Sequence, residues 1–329
     1  MTKTWIKRGL MASGAMRLAG GREPKVVILM YHSVLDHPES ELSTLGKIMH
    51  ETKVFRGQVE EIARYYNPVS MDAVLKFVRG EADLPRRAVA VTFDDGYRDN
   101  YEIAAPILEQ AGVPGTFYIT VDCVETGKLP WVGRLRYAFY TTRRDRWEDQ
   151  RGLGYSLVGE QREEAYLRAC DFCATLSGAI QEQFVLAVEA ELEVEPSRCH
   201  EGLMMRWEHV RALAARGHIV GSHTMTHPNL AFLSEDQALT ELGESKRKLE
   251  AELGFPVVHF SYPCPALTPH WKQSTVDLCR QAGYLTAVTT NGGSVRHSDD
   301  PLHLRRSGPT KRLDGLRWSV DCSFMGRTA

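Results

Sequence analysis

No run of apolar residues approaches the roughly eighteen that a membrane-crossing helix requires, which excludes a helical span. Cysteine is scarce and odd in number. Seven in 329 residues, scattered between Cys123 and Cys322, are too few for a disulfide framework and fit a reducing, cytoplasmic compartment. Net charge is nearly absent as well: 40 Lys and Arg against 42 Asp and Glu leave −2, so no global basic field exists to hold nucleic acid, and none is expected as a partner. Internal repeats are missing. What is present, 43% hydrophobic and 25% charged residues, is the composition of a folded globular chain. Cys170 and Cys173 form a lone C-x-x-C within a helical pattern, and with no second pair they read as thiols packed on a helix face.

Residues 1–24 form a basic arm, with Lys3, Lys7, Arg8, Arg17 and Arg22 and no acid before Glu23. Its apolar middle is too short for a secretory signal, and the expectation is a segment that can lie on a membrane surface. From residue 25 onward, short β-branched runs alternate with longer helical patterns, which argues for parallel strands joined by helical crossovers. The strands are expected near Val26 to Tyr31, Ala88 to Phe93, Thr116 to Thr120, His218 to Gly221, Val257 to Tyr262 and Leu285 to Thr289. Residues 121–205 break the alternation with helical periodicity and no clear strand, and read as an insertion that caps the site.

Two strand ends carry chemistry. The run Ala88-Val89-Ala90-Val91-Thr92-Phe93 delivers Asp94, Asp95 and Gly96 at its C-terminal end, where α/β folds place their sites. A second strand ends in Ser222-His223-Thr224-Met225-Thr226-His227-Pro228, and two imidazoles four residues apart can face one ion if the backbone makes a helical turn. Two histidines and one carboxylate leave coordination positions open for water and substrate, and the second carboxylate can then serve as base. That set suits hydrolysis of an amide or ester. The residues alone do not divide the two aspartates.

Thr92-Phe93-Asp94-Asp95-Gly96 and Ser222 to His227 resemble the first two motifs of the polysaccharide deacetylases, the family sharing the homology domain of chitooligosaccharide deacetylases. The resemblance continues through Met30-Tyr31-His32, Leu84-Pro85, Tyr97-Arg98-Asp99-Asn100 and Gly112 to Phe117, and covers most of residues 25–310 except the insertion. It implies a distorted (β/α) barrel over 25–329, interrupted by the helical insertion. It also implies that Asp94 is the general base and that Asp95, His223 and His227 bind a divalent metal, zinc first, with cobalt, nickel or manganese as alternatives. The third motif is matched by Phe260-Ser261-Tyr262-Pro263-Cys264-Pro265, which makes Tyr262 a site candidate and the Cys264 backbone N–H an oxyanion donor. Ser261 stands where the family carries a residue that orients the base, and a serine has no forked cation. Two alignments of the C-terminal segment remain. One makes His303 the general acid; the other, over Leu304-Arg305-Arg306-Ser307, brings Arg306 to Asp94 and leaves His303 at the surface. His32 ends the first strand and is a candidate proton relay or partner of a metal ligand. Trp131 and Trp207 are candidates for a sugar-stacking floor.

The expected activity is metal-dependent removal of N-acetyl groups from an amino sugar in a polysaccharide or lipid-linked glycan precursor, as in exopolysaccharide biosynthesis, by a cytoplasmic enzyme close to the membrane. The alternatives are hydrolysis of a cyclic amide or imide, and a carbohydrate-binding module that has lost turnover. Acetate release from an N-acetylglucosamine oligomer separates them.

Overall fold

The structure is a computed structural model that describes residues 23–36, 48–195 and 202–327. The basic arm, apart from its last two residues, lies outside the described residues. Among the described residues there are twelve strands: β1 (Val26–Tyr31), β2 (Ser33–Leu35), β3 (Met49–Glu51), β4 (Asn67–Pro68), β5 (Ala88–Phe93), β6 (Gly115–Ile119), β7 (Arg146–Glu148), β8 (Gly154–Ser156), β9 (Ile219–Ser222), β10 (His259–Ser261), β11 (Thr286–Val288) and β12 (Arg306–Ser307). Seven of them form a parallel sheet in the order β11-β10-β9-β6-β5-β1-β12, with β4 added beside the start of β5. The sheet nearly closes on itself. Arg306 and Ser307 of β12 pair with Ile28 and Leu29 of β1, while Leu304, just before β12, bridges Val288 of β11. The expected (β/α) barrel is therefore the fold.

Side-chain alternation divides the strands between two cores. On β5, Val89, Val91 and Phe93 point outward and join Phe55, Val59 and Ile62, which recur at helical spacing along the helix Thr52–Tyr65. Ala88 and Ala90 point inward, meeting Val26, Ile28, Tyr118, Val288 and Leu304, and Phe77 of the helix Met71–Val78 packs in the same cluster. Thr92, next on the inner face, turns polar, and from there the barrel interior becomes the site.

The first two expected strands have their predicted bounds, and the others begin or end one to two residues inside or beyond them. The short strands β2, β3, β4 and β12 carried too few residues to show a period. Within the insertion the structure corrects the all-helical expectation: β7 and β8 form an antiparallel hairpin. With the helices Trp131–Thr141, Gln161–Cys173 and Gly178–Glu191 it builds a core of its own around Trp147, Phe139, Leu135 and Val185. Cys170 and Cys173 are buried free thiols in that core. Among the described residues no helix is long and apolar enough to cross a membrane.

Candidate metal centre and active site

The chain leaves strand geometry directly after Asp94. Asp95 has φ +76° and Gly96 φ +91°, so the aspartate itself, as well as the glycine, takes a left-handed conformation. Successive strand residues would face opposite ways, and this turn lets both carboxylates line one cavity. Such a conformation costs a non-glycine residue on the order of 1 kcal/mol or more. Backbone bonds hold it: Asp94 N donates to Tyr31 O at 3.0 Å, and Met205 N donates to Gly96 O at 2.9 Å.

The two histidines are not on a helical turn, contrary to expectation. Thr224 and His227 have φ +69° and +62°, and the loop between them is held from outside. Glu241, buried on the helix Glu235–Leu253, accepts from Met225 N and Thr226 N, both at 2.9 Å, and from Thr226 Oγ1 at 2.6 Å. His223 Nδ1 lies 2.8 Å from Ser261 O, which leaves its Nε2 facing Asp95 Oδ1 at 3.4 Å. His227 Nε2 lies 3.3 Å from the same oxygen. Trp131 Nε1 donates to His227 O at 2.8 Å, so this tryptophan braces the loop rather than flooring a sugar pocket. Trp207 packs against the outer core instead.

Asp95, His223 and His227 are all buried, and each offers a ligand atom within 4.8 Å of the others'. Asp95 Oδ1 is a buried carboxylate oxygen with no hydrogen-bond partner, faced by two imidazole nitrogens. An orphaned anion of this kind is costly, and a divalent cation on these three donors removes the cost. The residues fit such an ion.

Asp94 has different company. Arg306 donates from Nη1 to Asp94 Oδ1 and from Nη2 to Oδ2, both at 2.7 Å. The same guanidinium reaches Ser261 Oγ at 2.9 Å, Thr92 Oγ1 at 3.2 Å and, through Nε, Thr289 O at 3.1 Å. Ser261 is not idle: its hydroxyl donates to Asp94 Oδ2 at 3.3 Å. Burial by itself raises the Asp94 carboxyl, but Arg306, with His223, outweighs it and holds the group below the usual carboxylate range. Burial also pushes Asp95 upward, and the facing imidazoles of His223 and His227 reverse this and leave it well below that range. For His223 the lowering by burial is overcome by Asp94 and Asp95, and its pKa rises. For His32 burial wins over both aspartates, and its pKa falls.

Asp94, Asp95, His32, His223, His227 and Cys264 all line one cavity of about 490 Å³, a volume suited to a sugar-sized ligand. Two candidates lie elsewhere. His303 stacks on Trp271 with ring centroids 5.1 Å apart, is partly exposed and does not line the cavity, because a short 3-10 turn at Pro301–His303 carries it away from the barrel mouth. Tyr262 is buried and donates its hydroxyl to Leu302 O at 2.9 Å, which ties β10 to that turn and keeps the ring in the core. Sequence reading missed Glu241, which sits among apolar helix positions as the only signal of an inward carboxylate. It expected the insertion over the site but named none of the residues, Val132, Arg136, Glu163 and Tyr166, with which that segment lines the cavity wall. The Tyr97-Arg98-Asp99-Asn100 stretch gains a physical role. Asp99 accepts from Ser33 Oγ at 2.6 Å and Val34 N at 3.0 Å, and Asn100 donates to His32 O at 2.6 Å, which fixes the end of β1.

Residues 81–287 match the polysaccharide deacetylase family. The chain is 21% identical over 296 residues to YxkH of Bacillus subtilis (strain 168), a protein named for polysaccharide deacetylation, covering 88% of this chain and 74% of the relative. Among solved structures it resembles the deacetylase PplD of Streptococcus pyogenes in complex with acetate, with TM-score 0.60, 18% identity, and 88% and 94% of the two chains covered. IcaB from Ammonifex degensii is similar too, with TM-score 0.56, 19% identity, and 87% and 92% covered.

Proposed function

The chain belongs to the polysaccharide deacetylase family, and from that premise we propose that it is a metal-dependent hydrolase that removes the acetyl group from an N-acetylated amino sugar in a polysaccharide or lipid-linked precursor. The observation that carries this reading is the pairing of two differently equipped carboxylates in one cavity. Asp95 is left facing two imidazoles, and Asp94 is gripped by an arginine.

Asp95, His223 and His227 hold the cation, zinc first, with cobalt, nickel or manganese as alternatives. When bound, it supplies Lewis-acid polarisation of the acetamide carbonyl and makes a water acidic enough to ionise near neutral pH. Asp94 is the base. Arg306 keeps it ionised despite burial and points the fork of the guanidinium at both oxygens, so the lone pairs not used by Arg306 and Ser261 remain to take a proton from water. The Cys264 N–H is the donor for charge developing on the carbonyl oxygen, and Pro265 after it keeps Cys264 extended. With His303 outside the cavity, the leaving amine takes its proton from Asp94 in its protonated form. His32, which lines the same cavity and whose pKa burial lowers, is the candidate proton relay or partner of a metal ligand.

In this reading residues 25–329 are one catalytic unit, 121–205 is its substrate-facing lid, and the basic residues in 1–24 give peripheral contact with a membrane in the cytoplasm. The test is acetate release from N-acetylglucosamine oligomers and lipid-linked N-acetyl sugars by protein loaded with zinc, cobalt or manganese. Release with at least one metal and none after chelation is expected. No acetate from any combination overturns the proposal.

A further inference from the structure

Two arginines stand two positions apart on the insertion helix Trp131–Thr141 and meet opposite fates. Arg134 is buried and paired, donating to both oxygens of Glu189 at 2.8 and 2.7 Å and pairing also with Glu182. Arg136 lines the active-site cavity, where it is the one arginine or lysine among the described lining residues. Its guanidinium carbon lies 4.6 Å from the ring centroid of Tyr140 and 5.5 Å from that of Tyr166, a stacking that holds the group in place. Among the described residues no carboxylate is within ion-pair distance of it. Its Nε is buried with no hydrogen-bond partner. Glu163, the carboxylate on the same wall, accepts instead from the Tyr140 hydroxyl.

Of the three carboxylates that line the cavity, Glu163 is held by the Tyr140 hydroxyl, and the two at the barrel mouth have cationic or imidazole company of their own. Asp94 is already matched by Arg306, and Asp95 faces the two histidines. A guanidinium Nε–H buried without an acceptor carries a desolvation cost that an incoming anion removes. The fork of an arginine matches a carboxylate or a phosphate in two parallel hydrogen bonds, and in a cavity partly shut off from water such a pair is stronger than at an open surface.

We propose that Arg136 determines specificity by holding an anionic group, a phosphate or a carboxylate, carried by the N-acetylated sugar whose acetamide lies at Asp94 and Asp95. The inference rests on the deacetylase reading above and narrows its substrate class to an acidic amino sugar.

The test measures binding by calorimetry to the zinc-loaded full chain, with three probes: methyl N-acetylglucosaminide, N-acetylglucosamine 1-phosphate and N-acetylglucosaminuronic acid. At least one acidic sugar is expected to bind 10-fold or more tightly than the neutral one, and which of them does so identifies the anion. Arg136→Gln should remove that preference and Arg136→Lys should keep part of it, with thermal melts checking that both variants are folded. Equal affinity for all three probes, including no binding at all, overturns the proposal. So does a preference that survives Arg136→Gln, since the anion would then be held by the cation site. Acetate release is followed in the same samples. Preference without release supports the anion site and defeats the deacetylase reading; release without preference does the reverse.

Discussion

Arg306 and Asp94, 212 residues apart in the chain, share two parallel hydrogen bonds of 2.7 Å in the centre of the barrel, where neither side chain is more than 3% exposed. The pair exists because β12 closes the barrel against β1 and aims its first residue inward, at the level where β5 releases Asp94. An unpaired carboxylate at this depth would be neutral or destabilising, so Arg306 sets both the charge of Asp94 and its orientation.

Arg306→Met therefore leaves a buried charge uncompensated and should cost roughly 3–5 kcal/mol of stability. Arg306→Lys keeps the charge but not the fork, and should still lose about 10-fold or more in kcat while retaining its metal. Thermal melts, kcat and elemental analysis on the two variants check this. Wild-type kcat in Arg306→Lys would mean that orientation of Asp94 is unimportant.

The aspartates should separate under substitution. Asp95→Asn removes one of three protein ligands and should lose the cation, whereas Asp94→Asn should bind it nearly normally and lose roughly 10²-fold or more in kcat. Metal content measured beside turnover decides. If Asp94→Asn is the variant that empties, the two roles are exchanged.

Glu241 does not line the cavity, yet it carries the histidine loop. Glu241→Ala leaves the N–H groups of Met225 and Thr226 without their acceptor, at roughly 1–3 kcal/mol each, and should weaken metal affinity about 10–100-fold. Glu241→Gln can keep one oxygen on both N–H groups and turn its amide toward the Thr226 hydroxyl, so it should behave much like the parent. A metal titration of both variants is the check, and equal loss in the two would point to charge rather than to hydrogen bonding.

Asp99 makes stability depend on pH. Burial, against three hydrogen bonds, pushes its carboxyl up to about 7 from an ordinary 3.8. A raised folded-state pKa means that the folded protein binds the proton more tightly than the unfolded chain. The contribution is therefore full below pH 4 and is lost as pH rises through about 7. Asp99→Asn keeps the hydrogen-bond pattern without a titrating group. The melting temperature of wild type relative to this variant should fall between pH 4 and pH 8. A constant difference across that range would show that Asp99 is not the titrating group.

Much of this protein is local in its chain and so legible without a structure. Apolar strand runs that end in Asp94-Asp95-Gly96 and in His223 to His227 announce parallel strands with polar ends, because burial of both strand faces and delivery of side chains at the C-terminal edge are written within ten residues. The α/β class follows from that alternation, and the barrel from the resemblance to the deacetylase family. What tertiary structure alone decided is everything that depends on closure and on packing between distant segments. A strand of two residues has no period, so the chain alone left Arg306 and His303 as alternatives, and where β12 meets β1 it is Arg306 that pairs with Asp94. His303 and Tyr262 lie within a few positions of true cavity residues, yet a 3-10 turn and a hydroxyl bond to Leu302 O direct them elsewhere. Thr224 and His227 sit in left-handed conformations that four-residue spacing does not reveal, since the restraint comes from Glu241 on a helix that follows. Arg134 and Arg136 look alike in the chain; one meets carboxylates and the other an open cavity, because helix phase and the neighbouring helices, rather than residue type, determine what each side chain touches.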